Sequence, residues 1–483
     1  MSNLASSKKI IYGFGTLGLI ISLALSFLGW YVSPVIPIAL FILFLLVVRT
    51  DLYILLIAFL VPLSIPLTDI AGGIGGSLPT EPLIAILMIF TVAKLMAGYT
   101  FDKAFIFHPL SIAILAGLIW MLVSVYFSEI PTNSIKFWII RFMYVLTFYF
   151  LAGHLFKNPK MIMRLFWVLL VSTTILVLYT NIRHAGEGFV RTHSYFISQP
   201  FFMDHGIYAA AVAFLFPVAL FFILNGHTLG LTRWVRILVL FMFFFIFMGL
   251  VFSFTRAAWV SLVGALGFLG IMKFRIRFSY LLAVVLIGGF YVYSNWEQYS
   301  FAMEGNTKGS DDDIEVHVKS ISNISTDPSN MERVNRWSCA IEMFKERPIV
   351  GFGPGTYTQL YGSYQKTSEL TIISTFTGDL GNVHSEYFAA LSEMGVVGLL
   401  AWLFMIGAAI FYGMHIYYYS PIPKDRILAM IALLGLLTYF IHAFLNNYSE
   451  FDKIAVPMWS FLAVITALSV KTKKAIQEAK ANE

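Results

Sequence analysis

Three residues of this 483-residue chain have types and settings suited to group transfer on an anionic substrate: Arg191, Arg256 and His384. Arg256 stands in Ser253-Phe254-Thr255-Arg256-Ala257-Ala258-Trp259, between two apolar runs joined by almost no loop. A guanidinium fixed there can grip a diphosphate through two parallel hydrogen bonds. The plain alternative is an arginine snorkelling beside an interfacial tryptophan. Arg191 lies in the Thr180 to Asp204 segment with Arg183, His184 and His193, and His205 follows at its end. An anionic ligand would account for so many cationic or protonatable groups; a solvated loop is the alternative. The histidine spacing fits no compact zinc pattern, so no metal is expected. His384 sits where a long polar segment meets an apolar run, and a neutral imidazole there suits general-base work near pH 7. A histidine capping or packing at a helix start is the alternative. Arg141, near the outer end of its apolar run, and Arg183, Ser385 and Tyr387 are supporting candidates.

Two further patterns read as structural. Gly351-Phe352-Gly353-Pro354-Gly355 is not followed by Lys-Ser/Thr, so it is a backbone constraint and not a phosphate loop. The run Asp311-Asp312-Asp313 reads as a solvated acidic loop, with cation binding the alternative.

The elements that must position these residues are membrane spans. Apolar residues make up 59% of the chain and charged residues 12%, about half the charged share of a soluble domain. The apolar excess falls in runs near the roughly 20 residues needed to cross a bilayer. Fourteen spans are expected, near 10–28, 32–48, 52–67, 83–97, 109–127, 135–156, 161–181, 206–224, 236–254, 257–272, 278–294, 388–414, 427–446 and 454–470. The second and third are short and Pro-rich, so the range is 12–14. The first resembles a signal peptide but lacks a small-residue cleavage site, and is read as a retained anchor. The lone Cys339 gives neither an intrachain disulfide nor a metal framework.

With the N-terminus inside, the inner segments hold nineteen Lys and Arg against about five in the short outer ones. Both termini are therefore expected in the cytoplasm. The net charge of +6 mostly reflects this bias and points to anionic membrane lipids, not nucleic acid. The division expected is an N-terminal bundle over 1–294, a large outer loop domain over 295–387, three C-terminal spans over 388–470 and a tail over 471–483. Within the loop, a disordered-looking stretch from Glu304 to Asp327 precedes an amphipathic helix predicted over Met331 to Arg347 and stopped by Pro348.

These pieces resemble the O-antigen ligase and O-antigen polymerase superfamily of bacterial inner membranes, from about Thr180 to the C-terminus. The most specific likeness is His384-Ser385, nine residues, then Gly395-x-x-Gly398, similar to the ligase pattern. The Ser253 to Trp259 segment resembles the family's Ser/Thr-Arg-Gly/Ala-Ala-Trp stretch. Arg336-Trp337 through Pro348 and the Gly351 to Gly355 run resemble its large-loop motif. Arg191, followed by a re-entry from Pro200 to Tyr208, is similar more loosely to its earlier arginine loop.

The resemblance implies an all-α membrane glycosyltransferase of the GT-C type with one large periplasmic loop, inverting, independent of metal or other cofactor, and acting at the periplasmic face. The donor would be a glycan on undecaprenyl diphosphate and the acceptor the lipid A core. Arg191 and Arg256 would bind the diphosphate, and His384 would be the general base. A polymerase, or a protein O-oligosaccharyltransferase, would use the same chemistry on another acceptor. A transporter or flippase would explain the spans but not the large outer loop, and should carry its ionisable residues near the midplane.

Overall fold

The computed structural model describes residues 35–67, 76–275, 328–367 and 381–481, with isolated positions 16, 22, 287, 290, 291, 294, 370 and 374. Apart from those positions, the spans expected near 10–28 and 278–294 lie outside the described residues, as does Asp311 to Asp313 with the stretch around it.

Each remaining expected span corresponds to a helix. In chain order these are α1 Val35–Val48, α2 Thr50–Leu60, α3 Thr80–Met96, α4 Pro109–Tyr126, α5 Pro131–Leu155, α6 Pro159–Gly186, α7 His205–Leu224, α8 Arg233–Val251 and α9 Arg256–Lys273. The outer helix α10, Pro328–Glu346, precedes α11 Glu386–Tyr419, α12 Pro423–His442 and α13 Asp452–Ala481. Nine of the described helices, α4 to α9 and α11 to α13, are long and apolar enough to cross a membrane. The protein is an all-α polytopic membrane protein.

Local sequence sets the helix starts. Pro109, Pro131, Pro159 and Pro423 each open a helix, where the missing N–H costs nothing and the fixed φ is already helical. Asn158, Asp204 and Ser385 cap their helices by accepting from Lys160, Gly206 and Phe388 N–H. Burial separates the inner helices from the lipid-facing ones. The apolar window of α13 is 94% buried and that of α8 only 28%, so α7, α12 and α13 form the packed interior while α8 turns Phe241, Phe244 and Phe247 outward.

Three boundaries differ from the sequence expectation. The run near 52–67 ends as α2 at Leu60, because Pro62 and Pro66 divert the chain into a 3₁₀ turn and a short strand. That strand, β1 Ile65–Pro66, pairs antiparallel with β2 Ser77–Leu78. The pair is pinned by the start of α13: Ser64 and Ser77 hydroxyls donate to the Asp452 carboxylate, and the Lys453 ammonium donates to the Ser64 carbonyl at 2.9 Å. At the other end α13 runs on to Ala481 through a Lys-, Ala- and Glu-containing tail of good helix formers. The outer helix begins at Pro328, three residues before the predicted Met331.

Helix α11 is broken once, at Gly395, whose φ is 68°. The spacing of Gly395 and Gly398 reads as close helix packing, but Gly395 serves the outer loop instead. The Val396 N–H donates to the Pro348 carbonyl at 2.9 Å, and the Ile349 carbonyl occupies the place a Cβ would take. The Gly351 to Gly355 run docks on the same break: Phe352 and Gly353 N–H donate to the Ser392 and Glu393 carbonyls, and the Glu393 carboxylate accepts from Tyr357 N–H at 3.1 Å. Positive φ at Gly351, Gly353 and Gly355 bears out the reading of this run as a backbone constraint.

Candidate functional site

The starts of α7, α9 and α11, the end of α12 and the face of α10 meet at one end of the bundle. His384 is the residue just before the Ser385 cap of α11. Its φ of 50° is left-handed, an unusual conformation for a side chain larger than Asn. Two contacts hold it: its N–H donates to Asn382 Oδ1 at 2.9 Å and Trp337 Nε1 donates to its carbonyl at 3.4 Å; the next residue, Ser385, is fully buried. Trp337 anchors the outer helix there, stacking on Phe388 at 5.2 Å and meeting Phe444 edge-on at 5.4 Å.

The His384 ring is part-buried, and its Nδ1 has no hydrogen-bond partner among the described residues. Burial draws its pKa down to about 3, and the positive charges of Arg333 and Arg336 push the same way. The Asp204 carboxylate and the Asn446 side chain oppose them in part. The imidazole is therefore neutral at physiological pH and can accept a proton.

Beside it runs a chain of polar groups from three elements. Asn446 Nδ2 lies 3.0 Å from His442 Nε2, and the Tyr448 hydroxyl lies 2.9 Å from Asp204 Oδ2 and 3.2 Å from Asn446 Oδ1. Burial disfavours the charged form of Asp204, but bonds from His205, Gly206 N–H and Tyr448 outweigh it and hold the carboxyl below its usual range. Arg333 Nε donates to the Leu445 carbonyl at 3.2 Å, which places its guanidinium over this network.

Arg256 opens α9 and is half-buried. Its helix start is tied to that of α7 by Thr255 Oγ1, 3.5 Å from the His205 carbonyl. Arg191 opens a short helical turn, Arg191–Ser194, and Tyr195 at its end packs edge-on against His205 at 4.4 Å. The segments that carry the two arginines thus both contact His205, through Thr255 and through Tyr195. Arg183 is occupied otherwise: its Nη1 donates to the carbonyls of Ile197 and Gln199 and holds that loop in place. Arg141 pairs with Glu450 and donates to Ser449 Oγ at 3.0 Å. It belongs to a second buried cluster in which Glu386 accepts from Tyr439 and Ser449. Tyr387 donates its hydroxyl to the Phe440 carbonyl at 2.9 Å and turns its ring into a groove. Of the loop histidines, His184 meets the Val190 carbonyl, His193 meets Glu187 and His205 meets Asp204, three separate settings and not one ligand cluster.

That groove, of about 450 Å³, lies between α9, α11 and α12 and is almost wholly apolar; Ala257, Tyr387, Phe440, Phe444 and Leu445 line it. Two of its lining residues adjoin the cations: Ala257 follows Arg256, and the Leu445 carbonyl accepts from Arg333. Such a cleft suits an apolar chain with an anionic head. Sequence reasoning missed Arg333, Asp204, His442, Asn446 and Tyr448. Only Arg333 carried a signal, three residues before Arg336-Trp337 on the predicted amphipathic helix.

Residues 240–403, about a third of the chain, match the family model described as O-antigen ligase. The match includes Arg256, Arg333 and His384 and stops short of Arg191 on one side and Asn446 on the other. No curated protein matches the chain.

Proposed function

We propose that this chain, which carries an O-antigen ligase family segment over residues 240–403, is an O-antigen ligase of the bacterial inner membrane. It transfers a glycan from undecaprenyl diphosphate to a hydroxyl of the lipid A core at the periplasmic face. The observation that carries the reading is an apolar groove whose lining residues adjoin the candidates: Ala257 follows Arg256, Tyr387 stands three residues after His384, and the Leu445 carbonyl accepts from Arg333. The polyprenyl chain lies in the groove, and Arg256 and Arg333 face the diphosphate at its mouth, with Arg191 approaching from the 180–204 loop.

The chemistry needs little more. The acceptor hydroxyl oxygen attacks the anomeric carbon as the bond from that carbon to the diphosphate oxygen breaks, inverting the centre. The His384 imidazole takes the hydroxyl proton, worth typically 10²–10⁴-fold. The arginines stabilise the negative charge that develops on the departing diphosphate. The docked outer segment, 328–367, covers the site and serves as the acceptor platform.

Deleting the gene in a strain that makes O-antigen tests the acceptor. The ligase reading expects core-only lipopolysaccharide with long polymer retained on undecaprenyl diphosphate. Core bearing a single repeat unit would make the protein a polymerase, and unchanged banding would exclude both.

A further inference from the structure

The left-handed backbone of His384, with φ at 50°, costs free energy and persists only where the surroundings over-determine it. It also decides where the imidazole points, because a return of φ to the ordinary negative range would swing the Cβ away. The bond from the His384 N–H to Asn382 Oδ1 spans only two residues and is of the kind an unfolded chain also makes. Asn382 must therefore be held from elsewhere, and the hold comes from α10. Arg336 Nη1 donates to the Asn382 carbonyl at 2.8 Å, while its Nε donates to Glu332 Oε1 at 2.7 Å. Arg336 and Glu332 are 5% and 3% exposed, and the guanidinium lies over the Tyr361 ring at 5.2 Å. At Gly381 that guanidinium occupies the place a Cβ would take. A guanidinium so deeply buried is costly unless it is paired and hydrogen-bonded, so its bond to Asn382 is no incidental surface contact.

We propose that Arg336 is a positioning residue for His384: oriented by Glu332, it clamps the Asn382 carbonyl, and Asn382 in turn holds the His384 N–H in its strained conformation. The proposal rests on the reading of His384 as the base. Each link is a hydrogen bond of 2.7 to 2.9 Å, and the first two engage a charged group, which makes them the stronger kind. The next residue of the same helix closes the grip, since Trp337 Nε1 donates to the His384 carbonyl. Three residues apart on α10, two arginines thus divide the work. Arg333 donates to the Leu445 carbonyl at the groove, and Arg336 turns to the segment that ends in the base.

The test is transfer by the purified full-length protein in detergent or lipid, with kcat, donor KM and melting temperature measured for each variant. Asn382→Ala removes the acceptor of the His384 N–H and leaves the Arg336–Glu332 pair whole. It should lower kcat about tenfold, a part of what a positioned base supplies, with donor KM unchanged. Asn382→Asp keeps an accepting oxygen and should recover most of the rate. Arg336→Lys keeps the charge beside Glu332 but loses the planar fork that bonds Glu332 and Asn382 at once, so kcat should fall several-fold. Arg336→Met combined with Glu332→Leu replaces the buried pair by apolar groups, which should preserve the melting temperature and still lose kcat. In the His384→Ala background, whose residual transfer no longer uses the imidazole, Asn382→Ala should cost nothing further. If the Met and Leu double variant does not fold, the Asn382 and Lys variants decide. Wild-type kcat in Asn382→Ala or in Arg336→Lys, or an equal loss in the His384→Ala background, overturns the assignment. A fully active His384→Ala overturns the base itself.

Discussion

Gly395 and Ile349 meet backbone to backbone: the outer loop lays the Ile349 carbonyl into the break in α11 where any other residue would carry a Cβ, and the neighbouring Val396 N–H donates to Pro348. The His-to-Gly spacing is thereby explained physically. His384 ends the outer segment just before the Ser385 cap, and with nine residues between, the helix opens at Gly395 to hold Pro348 and Ile349 from the middle of the same segment.

Gly395→Ala should therefore lower the melting temperature of the purified protein and abolish transfer. A left-handed φ costs an L-residue about 1–2 kcal/mol, and the collision with Ile349 adds to it. Gly407→Ala is the control: it lies in the same helix, no atom comes within 4 Å of its added Cβ, and it should be neutral or slightly stabilising. Equal melting of the two variants would contradict the docking.

Arg256→Lys should be nearly as damaging as Arg256→Ala, with the loss seen in donor KM and kcat together. An ammonium keeps the charge but not the planar fork that meets two phosphate oxygens. Full activity in the Lys variant would reduce Arg256 to a point charge; full activity in the Ala variant would leave it a snorkelling residue.

Arg141 should behave differently. Glu450→Gln removes its charge partner in a part-buried setting, so stability should fall by several kcal/mol while donor KM stays unchanged in the folded fraction. The pair replaced together by Met and Leu should melt higher than the Glu450→Gln single variant. A raised donor KM in Glu450→Gln would instead bring Arg141 into the anion site.

Stability should also respond to pH through His384. Its folded pKa, about 3, lies below the ordinary value of about 6.5, so the unfolded chain binds the proton first. The contribution is fully present above about pH 6.5 and is lost as pH falls toward the folded value. Melting temperature should drop between pH 7 and pH 4, and His384→Gln should make that drop shallower. An identical slope in the variant would place the imidazole in an open, solvated setting.

Much of this was legible because it is local. Apolar runs give the spans, Pro348 stops the outer helix, and Arg256 and His384 announce themselves as polar residues where apolar runs begin. The site's support was not legible, because Asp204, Asn446 and Tyr448 are ordinary polar residues until the ends of α7 and α12 bring them together across more than 240 positions. The partners of Arg141 and Arg183 were hidden for the same reason: a sequence shows a cation but not the Glu450 carboxylate or the Gln199 carbonyl beside it. The role of Gly395 was hidden because a glycine spacing suits a helix crossing as well as a helix break.

The most direct measurement is single-turnover transfer by the purified protein, with undecaprenyl-diphosphate-linked glycan as donor and lipid A core as acceptor, in the presence of a metal chelator. Wild-type protein should shift the core to a glycan-bearing band and release undecaprenyl diphosphate, and His384→Ala should bind donor normally yet transfer at least about a hundredfold more slowly. His384→Ala protein that keeps more than about a tenth of the wild-type rate, or wild-type protein that is inactive until metal is restored, would contradict the account.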